Sequence, residues 1–252
     1  YQQLKSKYAL NELFREPELA ANITVLPVDI LGVDAAILFA DILTLPSLMG
    51  VKVNFHPERG PLIEHTYDFL ELDDISCADY VEETCRLAKE MLSKKTALIG
   101  FAGSHFTVIT YLTEGKSSLS FHKTIRFIEE DPKRYHRWME KLTHNTIVYL
   151  KSQLKAGIDA YQIFDTWAGV LRPDDFAHWV LPYVEKIFNS VKAPSIYYIK
   201  NCSHLLELAL KTKADVLSLC HTVTLAEHPL LKGAQQGIQG NLYNGLLYAD
   251  PS

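Results

Sequence analysis

Short, nearly continuous apolar runs alternate with longer amphipathic stretches along this chain. The first run, Ala35-Ala-Ile-Leu-Phe-Ala40, reads as a strand buried on both faces. Similar runs recur at residues 97–101, 160–164, 195–199, 216–219 and 237–240. Between them the apolar positions adopt helical spacing. Residues 16–31 carry Leu19, Ile23, Leu26 and Ile30 on one face, with Pro27 expected to kink the helix or end its first part. Residues 79–93, 131–156, 174–191, 203–211 and 226–232 are the other expected helices. In the longest, Trp138, Leu142, Ile147 and Leu150 form the apolar side, and Pro132 fits its first turn. Residues 51–66 interrupt the alternation and predict an inserted β-hairpin or loop.

Strand–helix alternation implies an α/β fold with a parallel sheet and right-handed crossovers. Six units suit either a doubly wound sheet or a (β/α)8 TIM barrel lacking two strands. No Gly-x-Gly-x-x-Gly follows a strand, so a dinucleotide crevice is not indicated. Neither an internal repeat nor a low-complexity linker divides the chain, and residues 1–252 read as a single domain.

In both architectures chemistry gathers at the C-terminal ends of the strands. Asp41 follows the first run, Gly103-Ser104-His105 the second and Asp165-Thr166-Trp167 the third. Lys200-Asn201-Cys202, Cys220-His221 and Asn241 follow the others. Asp41 is the most informative of these. A carboxylate behind six apolar residues is costly to bury unless N–H donors or a cation meet it. It can equally cap the helix that follows, and the two roles are compatible. Tyr111 sits ten residues beyond Phe101 on an expected short helix, where an aromatic serves the core more often than a site.

Composition narrows the partners. The net charge is −5 and no window is dense in Lys and Arg, which argues against a nucleic-acid groove. A local basic pocket for an anionic small molecule remains compatible with that charge. The four cysteines, Cys77, Cys85, Cys202 and Cys220, form no Cys-x-x-Cys pair, so free thiols in a reducing, cytoplasmic chain are expected. No apolar run approaches the ~18 residues of a membrane span, and no signal peptide is evident at Tyr1. His56, His65, His122, His136, His144 and His178 read as surface or structural groups.

Four segments together resemble one family. Gly100 to Gly115, Asp34-Ala-Ala-Ile-Leu-Phe-Ala-Asp-Ile-Leu43, Gln162-Ile-Phe-Asp-Thr-Trp-Ala-Gly169 and Gln239-Gly-Asn-Leu242 are similar, in order, to the signatures of uroporphyrinogen decarboxylases. The resemblance implies a (β/α)8 barrel whose first and last strands lie outside this sequence. It implies cofactor-free, metal-free removal of CO2 from the four acetate groups of uroporphyrinogen III, giving coproporphyrinogen III on the route to haem. Asp41 would accept hydrogen bonds from the four pyrrole N–H groups and serve catalysis. Tyr111 and Thr166 would bind near a substrate acetate or Asp41, Phe101 and Gly103 would line the macrocycle face, and Lys5 would meet substrate carboxylates where the family has Arg. The family's members are usually homodimers.

This chain departs from the family pattern at His105, which replaces Pro, at Thr166, which replaces Ser, at Cys220-His221 for Asp-Trp, and at Tyr243-Asn244 for Asp-Pro. Two alternatives follow from the resemblance. A sister activity of the superfamily transfers methyl groups to thiols with zinc held by His-x-Cys; here Cys202 aligns, Lys200 takes the His position, and His204 offers a Cys-x-His pair instead. The departures also fit a tetrapyrrole-binding homologue without turnover.

Overall fold

Described in the computed structural model are residues 2–56, 58–63, 68–118, 120–226 and 228–249, the side chains of Gln2 and Gln3 excepted. His65 and part of the 51–66 insertion lie outside them. Eight strands alternate with helices among the described residues: β1 (Ala35–Ile37), β2 (Val53–His56), β3 (Gly60–Ile63), β4 (Ala97–Gly103), β5 (Ala160–Asp165), β6 (Ser195–Ile199), β7 (Val216–Leu219) and β8 (Gly237–Gln239). β2 and β3 form the antiparallel hairpin expected of the insertion.

The other six strands pair in parallel in the order β1-β4-β5-β6-β7-β8. That order separates the two architectures the sequence allows. A doubly wound sheet reverses direction at a switch point and places helices on both faces. Here every strand adds on the same side, which curls the sheet into the greater part of a (β/α)8 barrel with helices outside. The strands therefore present one face to the helices and one to a concave interior.

Register identifies the faces. Leu98, Gly100 and Ala102 of β4 align with Leu98's partner Ala36 and with Tyr161 and Ile163, all turned towards the helix layer. Gly100 is required there: a Cβ would lie 2.2 Å from Gln153 Oε1. The buried Gln153 amide uses that space to accept from Phe101 N–H and donate to Phe101 C=O, both at 3.0 Å. This clamps the long helix Pro132–Lys155 to the strand. The helix starts where Asp131 accepts from Arg134 N–H at 3.0 Å, and it buries Trp138, Leu142 and Leu150 as its spacing predicts.

Three local expectations change. The helix Pro17–Leu31 continues through Pro27 and ends at Gly32 in the left-handed region (φ 66°). Its buried residues, Ala20, Ala21, Ile23, Thr24 and Val25, precede the proline, and Pro27 itself is exposed, so its ring sits outside the packed face. The single helix expected over 174–191 is two, Pro173–Trp179 and Leu181–Ser190. Pro182 has no N–H for the His178 carbonyl and its ring crowds that turn, so the chain breaks at Val180. Finally, β1 is not buried on both faces. Ala36 and Leu38 pack beneath the helices while Ile37 is 51% exposed, because β1 has one strand neighbour and its other face looks into the open concave side.

Candidate active site

Asp41 stands just beyond β1 and is half-buried. Its Oδ1 accepts the Leu43 N–H at 2.8 Å, its own N–H donates to Thr44 Oγ1 at 3.1 Å, and its carbonyl accepts the Thr44 N–H at 3.0 Å. This turn leads into the helix Thr44–Leu48, but the N-cap of that helix is Leu43, so Asp41 shapes the approach to the helix and does not cap it. The turn does not satisfy the carboxylate. No ion pair reaches it among the described residues, and burial pushes its pKa from 3.8 up to about 6, with the Leu43 N–H pulling the other way. A cavity of about 20 Å³ adjoins it, bounded also by Arg15, Ser47 and Tyr80 and large enough for about one water.

Tyr111 lies close by on the helix His105–Glu114 and is 9% exposed. Burial raises the pKa of its phenol; the Trp167 indole lowers it, and the Asp41 charge raises it further, which ties Tyr111 and Asp41 into one electrostatic neighbourhood. The Trp167 ring lies 6.3 Å from that of Tyr111 and 5.4 Å from Phe121. Lys200 Nζ sits 6.0 Å from the Trp167 ring centroid. Phe101 and Phe164, adjacent across the concave face, meet edge to face at 5.3 Å. With Ile37, Phe39 and Pro27 they line an apolar hollow of about 460 Å³, within the range of small-molecule sites.

The described residues thus offer an under-coordinated carboxylate at a small cavity, a buried phenol that feels its charge, an apolar hollow that reaches Ala40 next to Asp41, and a lysine just past β6. A profile of the family described as uroporphyrinogen decarboxylase (URO-D) matches residues 1–252. The chain belongs to the uroporphyrinogen decarboxylase family. It is 39% identical over 259 residues to the uroporphyrinogen decarboxylase of Geobacter sulfurreducens, covering 99% of this chain and 76% of that protein. To the Desulfotalea psychrophila uroporphyrinogen decarboxylase it is 42% identical over 237 residues, covering 90% and 69%. Among solved structures, a methyltransferase from Methanosarcina mazei superposes with a TM-score of 0.81 at 19% identity, covering 93% of this chain and 72% of that one. At that identity the likeness speaks for the shared barrel fold.

Several residues that follow strands in this uroporphyrinogen decarboxylase family member do not converge on the mouth. Asp165 is turned into the helix layer and fully buried, accepting from Ser104 Oγ (2.8 Å), Thr107 Oγ1 (2.7 Å) and Tyr197 OH (2.8 Å). Its register alongside Ile199 puts it on the outward face, which alternation along β5 dictates. His105 is likewise enclosed, with Nε2 2.9 Å from Thr143 Oγ1, so its replacement of Pro alters the packing between helices. Gly103 does not simply line a ligand face: a Cβ there would lie 2.8 Å from Val108 Cγ2 and 3.0 Å from Ile42 Cβ, so the gap is filled by the chain that carries Asp41. Thr166 is half-buried at the end of β5. Lys5 is exposed at the end of the helix Gln2–Lys5, and no contact joins it to Asp41, Phe101, Tyr111 or Thr166.

The zinc alternative lacks a ligand set: no three His, Cys, Asp or Glu side chains converge among the described residues. His204 Nε2 is 2.8 Å from the Leu171 carbonyl. Cys202 is fully buried, and burial pushes its thiol up to about 12. All four cysteines are free, as their spacing predicts. No described helix is long and apolar enough to cross a membrane.

Proposed function

We propose that this chain removes CO2 from the acetate side chains of uroporphyrinogen III, giving coproporphyrinogen III, with Asp41 as the anion beneath the macrocycle. The observation carrying this reading is the environment of Asp41: a carboxylate shielded enough to lift its pKa to about 6, with one backbone N–H on Oδ1 and, among the described residues, no cation paired to it. An acceptor of that kind gains most from a guest that brings its own N–H donors. A porphyrinogen brings four, directed to the centre of its ring, and its hydrocarbon edges match the wall of Phe101, Phe164 and Ile37.

The chemistry needs an electron sink. Loss of CO2 from a pyrrole acetate leaves an electron pair on the methylene carbon. Protonating the adjacent ring carbon first makes an iminium that receives that pair, a second proton then completes the methyl group, and loss of the first proton from the ring carbon restores the pyrrole, so one proton is consumed per CO2 released. Positive charge develops on the ring, and a fixed carboxylate below it stabilises that charge more than the neutral ground state, which is the condition for catalysis. In this reading Tyr111, whose phenol feels the Asp41 charge, positions an acetate or steadies the carboxylate. A homodimer acting in the cytoplasm, on the route to haem, belongs with this reading.

The test is to incubate the purified full-length protein with uroporphyrinogen III and count carboxyl groups on the product. Stepwise loss of four supports the reading. Tight binding of an unchanged substrate would instead favour the homologue without turnover.

A further inference from the structure

Eight carboxylates ring the substrate proposed above, more than the exposed Lys5 alone could meet. A cation at the rim of the mouth, free of an acidic partner, complements them. Lys200 is exposed, and among the described residues no carboxylate lies within ion-pair distance of its Nζ. Its side chain lies 6.0 Å from the centroid of the Trp167 ring, whose far neighbours are Tyr111 and Phe121.

The backbone around Lys200 is pinned from three directions. Its N–H approaches the Asp165 carbonyl at 3.4 Å, continuing the β5–β6 ladder by one residue. The next residue, Asn201, takes a left-handed conformation (φ 54°) and donates its N–H to Cys220 Sγ at 3.0 Å. On the third side, Gly169 comes so close that a Cβ would fall 2.0 Å from the Lys200 carbonyl oxygen. Trp167 is fixed in turn: its N–H donates to Thr107 Oγ1 at 3.1 Å, and that hydroxyl donates to the buried Asp165 at 2.7 Å. The backbone of the lysine and the indole therefore rest on one hydrogen-bonded network, which fixes where the lysine stem begins.

We propose that Lys200, braced over Trp167, is a substrate ligand that binds a peripheral carboxylate of the tetrapyrrole at the barrel rim. This rests on the decarboxylase reading. Lys200 Nζ and the Tyr111 ring both neighbour Trp167, at 6.0 and 6.3 Å from its ring centroid, and the Tyr111 phenol feels the Asp41 charge. A point charge on a flexible stem suits carboxylates that change from acetate-bearing to methyl-bearing positions as the ring is reoriented.

The experiment compares full-length wild type with Lys200→Gln, Lys200→Arg and Lys192→Gln. The last removes the same charge just before the N-terminal end of β6, away from the mouth. Each protein is assayed for turnover of uroporphyrinogen III and for equilibrium binding of uroporphyrin, the oxidised octacarboxylate, at low and high salt. The expected result for Lys200→Gln is a rise of about tenfold in KM and in the uroporphyrin Kd, with the smaller share of the loss in kcat and a weaker salt dependence. Lys200→Arg recovers most of the affinity and Lys192→Gln behaves as wild type. Wild-type affinity in Lys200→Gln overturns the inference and leaves the decarboxylase reading intact. A wild type that neither binds uroporphyrin nor consumes uroporphyrinogen overturns both.

Discussion

Gly103 and Ile42 are fitted to one another: the missing Cβ of Gly103 is the space into which the Ile42 side chain and carbonyl settle, each at 3.0 Å from where that carbon would be. Ile42 is the residue after Asp41, so the end of β4 sets the height at which the carboxylate is carried. Gly103→Ala is expected to overpack the contact at a cost of about 1–3 kcal/mol. Part of that cost appears as displacement of the Asp41 turn. Uroporphyrinogen turnover should then fall by roughly tenfold or more, with thermal melting only modestly lowered. Unchanged kinetics in a normally folded variant would show that the fit does not position Asp41.

Asp165 is the hub of the outer layer at this end of the barrel. Removing it in Asp165→Ala leaves the hydroxyls of Ser104, Thr107 and Tyr197 without their acceptor in a dry environment. Chemical denaturation should show a loss of roughly 2–4 kcal/mol. A change below about 1 kcal/mol would mean that these hydroxyls find other partners.

Burial holds the His105 imidazole neutral, its pKa lowered from 6.5 to about 3, with the Lys186 charge adding to the effect. The unfolded chain takes up a proton below about pH 6.5 and the folded chain does not, so this residue removes stability as pH falls from about 6.5 towards 3. His105→Leu should flatten that part of the stability–pH curve. A wild-type slope in the variant would assign the acid sensitivity elsewhere.

Asp41 acts with the opposite sign. Its folded-state pKa, about 6, lies above the ordinary 3.8, so between those values the folded protein binds the proton more readily. Stability contributed by this group falls as pH rises from about 4 to about 6 and then levels. Asp41→Asn, which keeps an oxygen for the Leu43 N–H, should therefore be the more stable protein at pH 7 and lose the advantage near pH 4. In wild type the ionised form is the one that meets the pyrrole N–H groups, so kcat/KM should show an acidic limb near pH 6. Equal stability of the two proteins across this range would contradict the strained carboxylate.

The strand–helix alternation made the parallel sheet legible because runs such as 160–164 are short, apolar and bounded by polar residues. The alternation alone leaves a barrel and a doubly wound sheet open; the family resemblance chose the barrel, and the strand order, which depends on contacts between residues far apart in the chain, agrees with it. At the site, Asp41 was readable from a carboxylate abutting an apolar strand, and Tyr111 from family resemblance. Asp165 also follows an apolar run in the sequence; only the pleat of β5 against Tyr197 shows that it faces outward. The pairing of Lys200 with Trp167 was hidden because it joins the ends of two strands.

The central claim is that the Asp41 carboxylate, as a charged acceptor beneath the ring, drives decarboxylation. Its most direct test is kcat/KM for uroporphyrinogen III with purified full-length Asp41→Asn near pH 7.5, beside a melting curve of the same sample. A fall of at least about a hundredfold, roughly 2.7 kcal/mol of transition-state stabilisation, in a protein that melts no earlier than wild type is the predicted result. Turnover within a few-fold of wild type would contradict it.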